Sequence, residues 1–173
     1  MKASFLAGEQ IHIRAMKRAD KDQATAWFDS PFPVNANSAE TFLREQHTVT
    51  WHPQTTLLAL VRLGSDDIVG GVTLWTEDRR VGWLRISLAP VLPDADAVFG
   101  DALRVLIPWW RDEHEFMAVN VEIPADRPEA IAAAEDLGMT HAVTWRQSEL
   151  REGHSVDLLL YQALNPRWEV ADA

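Results

Sequence analysis

The segment that decides the fold covers residues 56–89, "TLLALVRLGSDDIVGGVTLWTEDRRVGWLRISLA". It contains three apolar runs, at residues 56–63, 68–76 and 81–89, each of a length typical of a β-strand. "GSDD" and "EDRR" separate the runs, and both compositions are typical of turns. The segment therefore predicts three consecutive antiparallel strands.

The flanking sequence predicts how this sheet is completed. "HIRAM" indicates a first strand, and two helical segments, "ADKDQATAWFD" and "AETFLREQH", follow it. After the three strands we expect a loop over residues 90–100 and then a helix, "DALRVLIPWWRDEHE", kinked at Pro108. A strand, "MAVNVEI", a helix, "DRPEAIAAAEDLGM", and a closing hairpin over residues 141–164 complete the chain. The order β α α β β β α β α β β predicts an α/β (α+β) fold, a mixed sheet with helices on its faces.

Composition limits the class of protein. A chain of 173 residues predicts one domain, residues 1–173. The chain has no cysteine, no apolar run long enough to span a membrane and no start typical of a signal peptide, so we expect a cytoplasmic protein without membrane contact. A net charge of −10 argues against nucleic-acid binding and favours a cationic partner, unless it serves solubility alone.

Several local motifs, in this element order, resemble the GNAT acyltransferase superfamily, and most closely its branch of ribosomal-protein N-terminal acetyltransferases. "IVGGVTLW" is similar to a strand of that branch, and "ADRPEAIAAAEDLGM" to its helix ending in Leu-Gly-Phe, with Met139 at the aromatic position. The ending "REGHSVDLLLYQALNPRW" carries the matching Gly153, Asp157, Tyr161 and Trp168. The resemblance covers residues 12–168 and implies a mostly antiparallel sheet with a V-shaped split between the fourth and fifth strands.

The resemblance also implies a site for acetyl-CoA as the acyl donor. The pantetheine would pair with the main chain of Ile86, Ser87 and Leu88. The pyrophosphate would lie on backbone N–H groups at a helix N-terminus, where those groups have no partner within the helix. By alignment those groups belong to Ala97, Val98, Phe99, Gly100 and Asp101.

This loop departs from the glycine-rich pattern of the family. Asp94 and Asp96 place carboxylates where phosphate is expected, Ala97 replaces a glycine, and Phe99 adds bulk. Arg127 replaces an asparagine that helps hold the cofactor in relatives, so it would either recover phosphate affinity or be solvated at the helix start. Two interpretations stay open, a protein that still binds CoA through other contacts and a GNAT-fold protein that binds a partner or uses another donor or reaction.

Catalytic candidates follow from the needs of acetyl transfer to an amine. The family's usual proton donors fall at Ala130 and Ala134, which cannot serve. Glu122, in the fifth strand, is the candidate general base, although an ion pair with an arginine such as Arg85 is an alternative role. Ser87 is the candidate hydrogen-bond donor to the thioester or thiolate, unless it is simply a small strand residue.

The acceptor implied by the family is a primary amine of a small molecule or a basic peptide N-terminus. Trp27, Phe32 and Trp75 fall in the regions that line the acceptor pocket of relatives, where they would bind an ammonium group by cation–π contact unless they only pack the core. The six histidines form no metal-ligand pattern. We therefore expect an N-acetyltransferase without a metal, as a monomer or homodimer.

Overall fold

The chain is described from a computed structural model, which covers residues 6–28, 35–48, 55–76, 80–151 and 153–168. The predicted element order is confirmed, with one short strand, β1, added before the predicted first strand. The strands are β1 (Leu6–Ala7), β2 (Ile11–Ala15), β3 (Thr56–Arg62), β4 (Ile68–Thr76), β5 (Val81–Leu88), β6 (Ala118–Pro124), β7 (Thr140–Arg151) and β8 (His154–Leu164). The helices are α1 (Ala24–Trp27), α2 (Ala36–Thr48), α3 (Ala95–Pro108) and α4 (Pro128–Asp136), and 3-10 turns cover Arg18–Gln23 and Pro166–Trp168.

All eight strands form one sheet in the order β1-β2-β3-β4-β5-β6-β8-β7. Every neighbouring pair is antiparallel except β5 and β6, which are parallel. The β5–β6 register runs only from Val81–Ala118 to Leu84–Val121, although both strands continue beyond it. The V-shaped split is therefore present between β5 and β6. These are the fourth and fifth strands of the predicted order, which did not include β1.

The sheet has a hydrophobic core on each face. The larger core packs α3 and α4 against alternate residues of the central strands, including Val72, Leu84 and Val121. The smaller core packs α1 and α2 against the other face of the first strands, and Trp27 and Leu43 are buried there. On this second face, a cleft is lined by residues of α1, α2 and the strands β3, β4 and β5.

The start of α3 differs from the prediction. Residues 90–100 were expected to form a loop, but the helix begins at Ala95. The apolar stripe of α3 extends backwards through Val98 and Phe99, which are buried in the larger core. Gly100 lies inside the helix at a close contact with α4, where an added Cβ would be 3.4 Å from the Cβ of Ala133. Its small size therefore serves helix packing, and the loop prediction was wrong.

Two helices end at or near residues that the sequence singled out, Pro108 and Gly138. A π-helical segment, Trp109–Glu113, follows directly on Pro108, at the expected kink. Gly138 ends α4 with φ +73°, a backbone conformation that favours glycine. None of the helices in the described ranges is both long and apolar enough to cross a membrane.

Candidate active site

The fork between β5 and β6 positions the residues predicted to contact the donor. Leu84 and Val121 form the last register pair, so Ile86, Ser87 and Leu88 lie on the β5 arm beyond it. On the other side, β5 stays paired with β4 up to Leu88. The arm is thus held rigidly from one side, and its edge toward β6 faces the gap in which the pantetheine was expected.

Glu122 lies on the β6 arm and contacts β5 across the fork. Its Oε2 atom accepts hydrogen bonds from Nε and Nη2 of Arg85, at 3.3 and 3.0 Å. The carboxylate is the more buried partner, with side-chain exposures of 15% for Glu122 and 49% for Arg85. The ion pair considered as an alternative role for Glu122 is therefore formed. It does not remove Glu122 as a base, because an ionised carboxylate is the form that accepts a proton.

A cleft of about 320 Å³ opens beside the fork on the face of the sheet that carries Arg85. Alternate side chains of a strand share a face, which places Arg85 and Ser87 together, about 7 Å apart along β5. Both line the cleft, and the remaining walls are mostly apolar. Its other lining residues are Trp27, Phe28, Phe42, Leu57, Thr73 and Trp75.

Two of the three predicted acceptor residues lie in this cleft. Trp27 is buried, and its Nε1 donates to the backbone oxygen of Asp20 at 2.8 Å, so its ring is a fixed wall. Trp75 is stacked on Trp83, with ring centroids 6.0 Å apart and planes inclined by 10°. Phe32, the third, lies outside the described residues.

The carboxylates expected to oppose phosphate at the start of α3 are both engaged by other groups. Asp94 forms a bidentate ion pair with Arg62, at 2.6 and 2.8 Å, and this pairing lowers the pKa of Asp94. Asp96 accepts hydrogen bonds from the backbone N–H groups of Glu129 and Ala130, both at 2.9 Å, and so caps α4.

The residues aligned with the phosphate loop occupy the first two turns of α3. The N–H group of Val98 already donates to the oxygen of Asp94 at 3.0 Å, so Ala97 is the last residue before the intrahelical bonds begin. Phe99 is 2% exposed and points into the core, so its ring does not crowd the helix N-terminus. The donor groups available to an anion are thus those at the start of the helix, rather than those of Val98, Phe99 and Gly100.

Asp101 has a structural role instead. Its buried carboxylate accepts hydrogen bonds from the backbone N–H groups of Glu9, Gln10 and Ile11, at 2.9, 2.8 and 3.2 Å. A Cβ on Gly8 would lie 2.4 Å from the same carboxylate. The side chain of Asp101 therefore fastens the β1–β2 turn to α3, and it points away from the N-terminus of the helix.

Arg127 is buried at the start of α4 rather than solvated. Its guanidinium carbon lies 5.6 Å from the ring centroid of Phe99, and its Nε atom is buried without a hydrogen-bond partner among the described residues. Burial, followed by repulsion from Arg151, lowers the pKa of Arg127, and Asp126 and Asp96 act in the opposite direction. The positive charge of Arg127 therefore offsets part of the negative charge of Asp96.

The positions that hold the usual proton donors in the family belong to the core of this protein. Ala130 and Ala134 are fully buried in the packing of α4. Tyr161 is also buried, and its hydroxyl donates to Oε1 of Glu135 at 3.4 Å. Burial raises the pKa of Tyr161, and the Glu135 carboxylate adds to the effect. Phe28, Phe42 and Arg62 were not singled out from the sequence, although the helical spacing of Ala24, Trp27 and Phe28 was a signal for Phe28.

The comparisons with known proteins agree with this geometry. The chain is 43% identical to a protein from Sphaerobacter thermophilus DSM 20745 whose crystal structure carries a provisional acetyltransferase assignment. That match covers 96% of this chain and 99% of the other, with a TM-score of 0.77. The chain belongs to the GNAT acetyltransferase superfamily. No protein-family model and no curated protein matches it.

More distant GNAT structures share the fold alone. The ribosomal-protein-S5-alanine acetyltransferase of Vibrio fischeri is 14% identical, with a TM-score of 0.70 over 96% of this chain and 100% of the other. A spermidine/spermine N-acetyltransferase of Vibrio cholerae, crystallised as mutant forms, is also 14% identical, with a TM-score of 0.65 over 92% and 96%. Within the part of this GNAT chain that the structure describes, there is no group of three or more metal-ligating side chains.

Proposed function

We propose that this GNAT protein transfers an acetyl group from acetyl-CoA to a primary amine bound in the cleft beside the fork. The observation that carries the proposal is the fork itself, with Glu122 on one arm and Ser87 on the other. A cleft of a size suited to a small amine opens on the same face. The 43% identity to a protein assigned as an acetyltransferase supports the same reaction class.

The residues present fit acetyl-CoA better than the sequence suggested. Ile86, Ser87 and Leu88 would hold the pantetheine on the β5 arm, and the first N–H groups of α3 would hold the pyrophosphate. Arg62 neutralises Asp94, and Asp96 is committed to the start of α4. The buried Nε atom of Arg127 provides a further donor on this side of the molecule that lacks a partner among the described residues.

The residues of the chain would carry the proton and position the acceptor. Acetyl-CoA, when bound, supplies an acyl group activated as a thioester. The amine must be uncharged to attack, and the guanidinium of Arg85 in the cleft disfavours the ammonium form. Glu122 accepts the proton of the amine through water as the acceptor nitrogen forms the new amide bond.

Ser87 would assist the departure of the leaving group. As the carbon–sulfur bond breaks, its electron pair passes to sulfur, and the hydroxyl of Ser87 donates a hydrogen bond there. CoA leaves as the thiol once a proton from solvent has been taken up. The products are one acetylated amine and one CoA thiol, with no other reactant.

The stoichiometry of the reaction tests this proposal. Purified protein is incubated with acetyl-CoA and a panel of primary amines, and thiol release is compared with the acetylated amine found by mass spectrometry. One acetylated amine per thiol released is expected. Thiol release without an acetylated amine, or no reaction while CoA binds, would instead favour a GNAT-fold protein with another reaction or a binding role.

A further inference from the structure

The charge inside the cleft is the reverse of the charge of the whole chain. The net charge of the protein is −10, yet among the described lining residues the charged side chain is a cation, Arg85. Its partner Glu122 is more buried and is not among the residues that line the cleft. An acceptor entering the cleft therefore meets the positive end of this ion pair.

The cation–π position on the cleft wall is already taken by the protein itself. The guanidinium carbon of Arg85 lies 6.0 Å from the ring centroid of Trp75. Sequence analysis expected this ring to bind the ammonium group of the acceptor. With Arg85 on it, a second cation at the same ring would be repelled, and at such distances like charges repel appreciably even near a protein surface.

The rest of the wall favours a flat apolar body. Phe28 and Phe42 meet edge to face, with ring centroids 4.9 Å apart, and Trp27 packs edge to face on Phe28 at 5.6 Å. On the sheet side of the cleft, Trp75 of β4 is held by its stack on Trp83 of the neighbouring strand β5. Fixed aromatic rings of this kind bind aromatic groups by offset or edge contacts, beyond the area that they bury.

From these observations, which rest on the proposed function, we infer the class of acceptor. We propose that the acceptor is a monoamine whose primary amino group is attached to an aromatic or apolar body, and that a second positive charge is excluded. Arg85 excludes it, and Trp75 recognises the apolar body. Polyamines and basic peptide N-termini are therefore poor acceptors, despite the acidic surface.

Three probe amines separate the effect of Arg85 on acceptor choice from the effect of Trp75. Pentylamine and cadaverine share a five-carbon chain and differ by one terminal amino group, whereas phenethylamine replaces the aliphatic body by an aromatic one. We expect kcat/KM to be about tenfold lower for cadaverine than for pentylamine, from the repulsion by Arg85. We expect kcat/KM to be about threefold to tenfold higher for phenethylamine than for pentylamine, because the ring of phenethylamine contacts the aromatic rings of the cleft.

Variants test each residue through ratios that cancel changes in overall rate. Arg85→Gln should bring the pentylamine-to-cadaverine ratio to one or below, because the repelling charge is gone and the Glu122 carboxylate is left uncompensated. Trp75→Ala should abolish the preference for phenethylamine, whereas Trp168→Ala, which removes an exposed tryptophan away from the cleft, should preserve it. Binding of the same amines, measured by calorimetry without acetyl-CoA, should follow the same order.

The possible outcomes distinguish this inference from the function on which it rests. Preferential acetylation of cadaverine overturns the inference and leaves the proposed acetyltransferase function intact. The same holds if the pentylamine-to-cadaverine ratio of kcat/KM is equal in wild type and Arg85→Gln. Equal use of phenethylamine and pentylamine by wild type overturns it as well. Failure to acetylate any amine overturns both.

Discussion

Glu122 and Arg85 form an ion pair that spans the fork, with Oε2 of Glu122 3.0 Å from Nη2 of Arg85. Each residue directly follows a member of the last β5–β6 register pair, Leu84 and Val121. The pair therefore closes the base of the fork and places a carboxylate and a guanidinium next to the two strand arms. This arrangement links the donor side of the site to the acceptor cleft.

Glu122→Gln should lower kcat/KM for acetylation by about two powers of ten, because a general base contributes at least that much. CoA affinity, measured by calorimetry, should stay within about threefold of wild type, since the amide keeps the volume of the side chain. Arg85→Gln is the matched control, because it also breaks the ion pair but leaves the carboxylate. Equal losses of kcat/KM in both variants would show that Glu122 acts only as the structural partner of Arg85.

Arg62→Ala should weaken CoA binding by about tenfold, because it leaves the charge of Asp94 uncompensated at the start of α3. Pantetheine lacks the pyrophosphate, so its affinity should not change. Combining Arg62→Ala with Asp94→Asn should restore the affinity for CoA. Unchanged CoA binding in the single variant would place the pyrophosphate away from this end of α3.

Phe99→Ala should destabilise the protein by about 3–5 kcal/mol and should not tighten CoA binding, because the ring is 2% exposed in the larger core. The free energy of unfolding is measured by urea denaturation. Val91→Ala serves as a control, since Val91 is 91% exposed and its removal should change stability by less than about 0.5 kcal/mol. Tighter CoA binding without loss of stability would show instead that the Phe99 ring lies close to the bound pyrophosphate.

Gly8→Ala and Asp101→Ala should not be additive in stability. The added Cβ would meet the Asp101 carboxylate at 2.4 Å and displace it from the N–H groups that it binds. Each single variant should therefore lose the same contacts, at about 2–3 kcal/mol, and the double variant should lose little more. Fully additive losses of unfolding free energy would contradict the role assigned to Asp101.

The ion pair of Asp20 with Arg14 should make stability depend on pH. Burial raises the pKa of Asp20, but the hydrogen bonds from Arg14 and from the N–H group of Lys17 outweigh it and the pKa is lowered. A lowered pKa contributes stability that is present above the unfolded-state value of about 3.9 and is lost as the pH falls through the folded-state value.

Arg14→Gln should therefore destabilise the protein more at neutral pH than at low pH. Without Arg14, burial dominates and the ionised carboxylate becomes a cost. Urea denaturation of wild type and variant at a series of pH values measures the difference. A loss of stability that does not change with pH would show that Arg14 contributes through packing alone.

The element order could be predicted because it depends on local information, whereas the fork was implied by the resemblance to the GNAT superfamily. The three strands at residues 56–89 each carry a strand-length apolar run, and Gly138 marks the end of its helix by itself. The start of α3 was mispredicted because Asp94 and Asp96 resemble loop residues in isolation. Their partners, Arg62 and the N–H group of Glu129, are 32 and 33 residues away in sequence and are brought near only by folding.

The residues of the site were also predictable only in part. Ser87, Trp27 and Trp75 were singled out through the resemblance to the GNAT superfamily, and all three line the cleft. The burial of Arg127 over Phe99 could not be predicted, because it depends on how α3 packs against the start of α4. The sign of the charge that faces the cleft could not be predicted either. It depends on which member of the Arg85–Glu122 pair is more exposed, and composition does not reveal this.

Hydrogen–deuterium exchange with and without acetyl-CoA tests whether the donor binds along the β5 arm of the fork and at the start of α3. We expect slower exchange of the amides of Ile86, Leu88, Asp96 and Ala97 when acetyl-CoA is added, with β7 unchanged, because the N–H groups of Ile86 and Leu88 alternate with those that pair with β4 and so face the gap. Slower exchange confined to other segments, or no change at saturating acetyl-CoA, would contradict it.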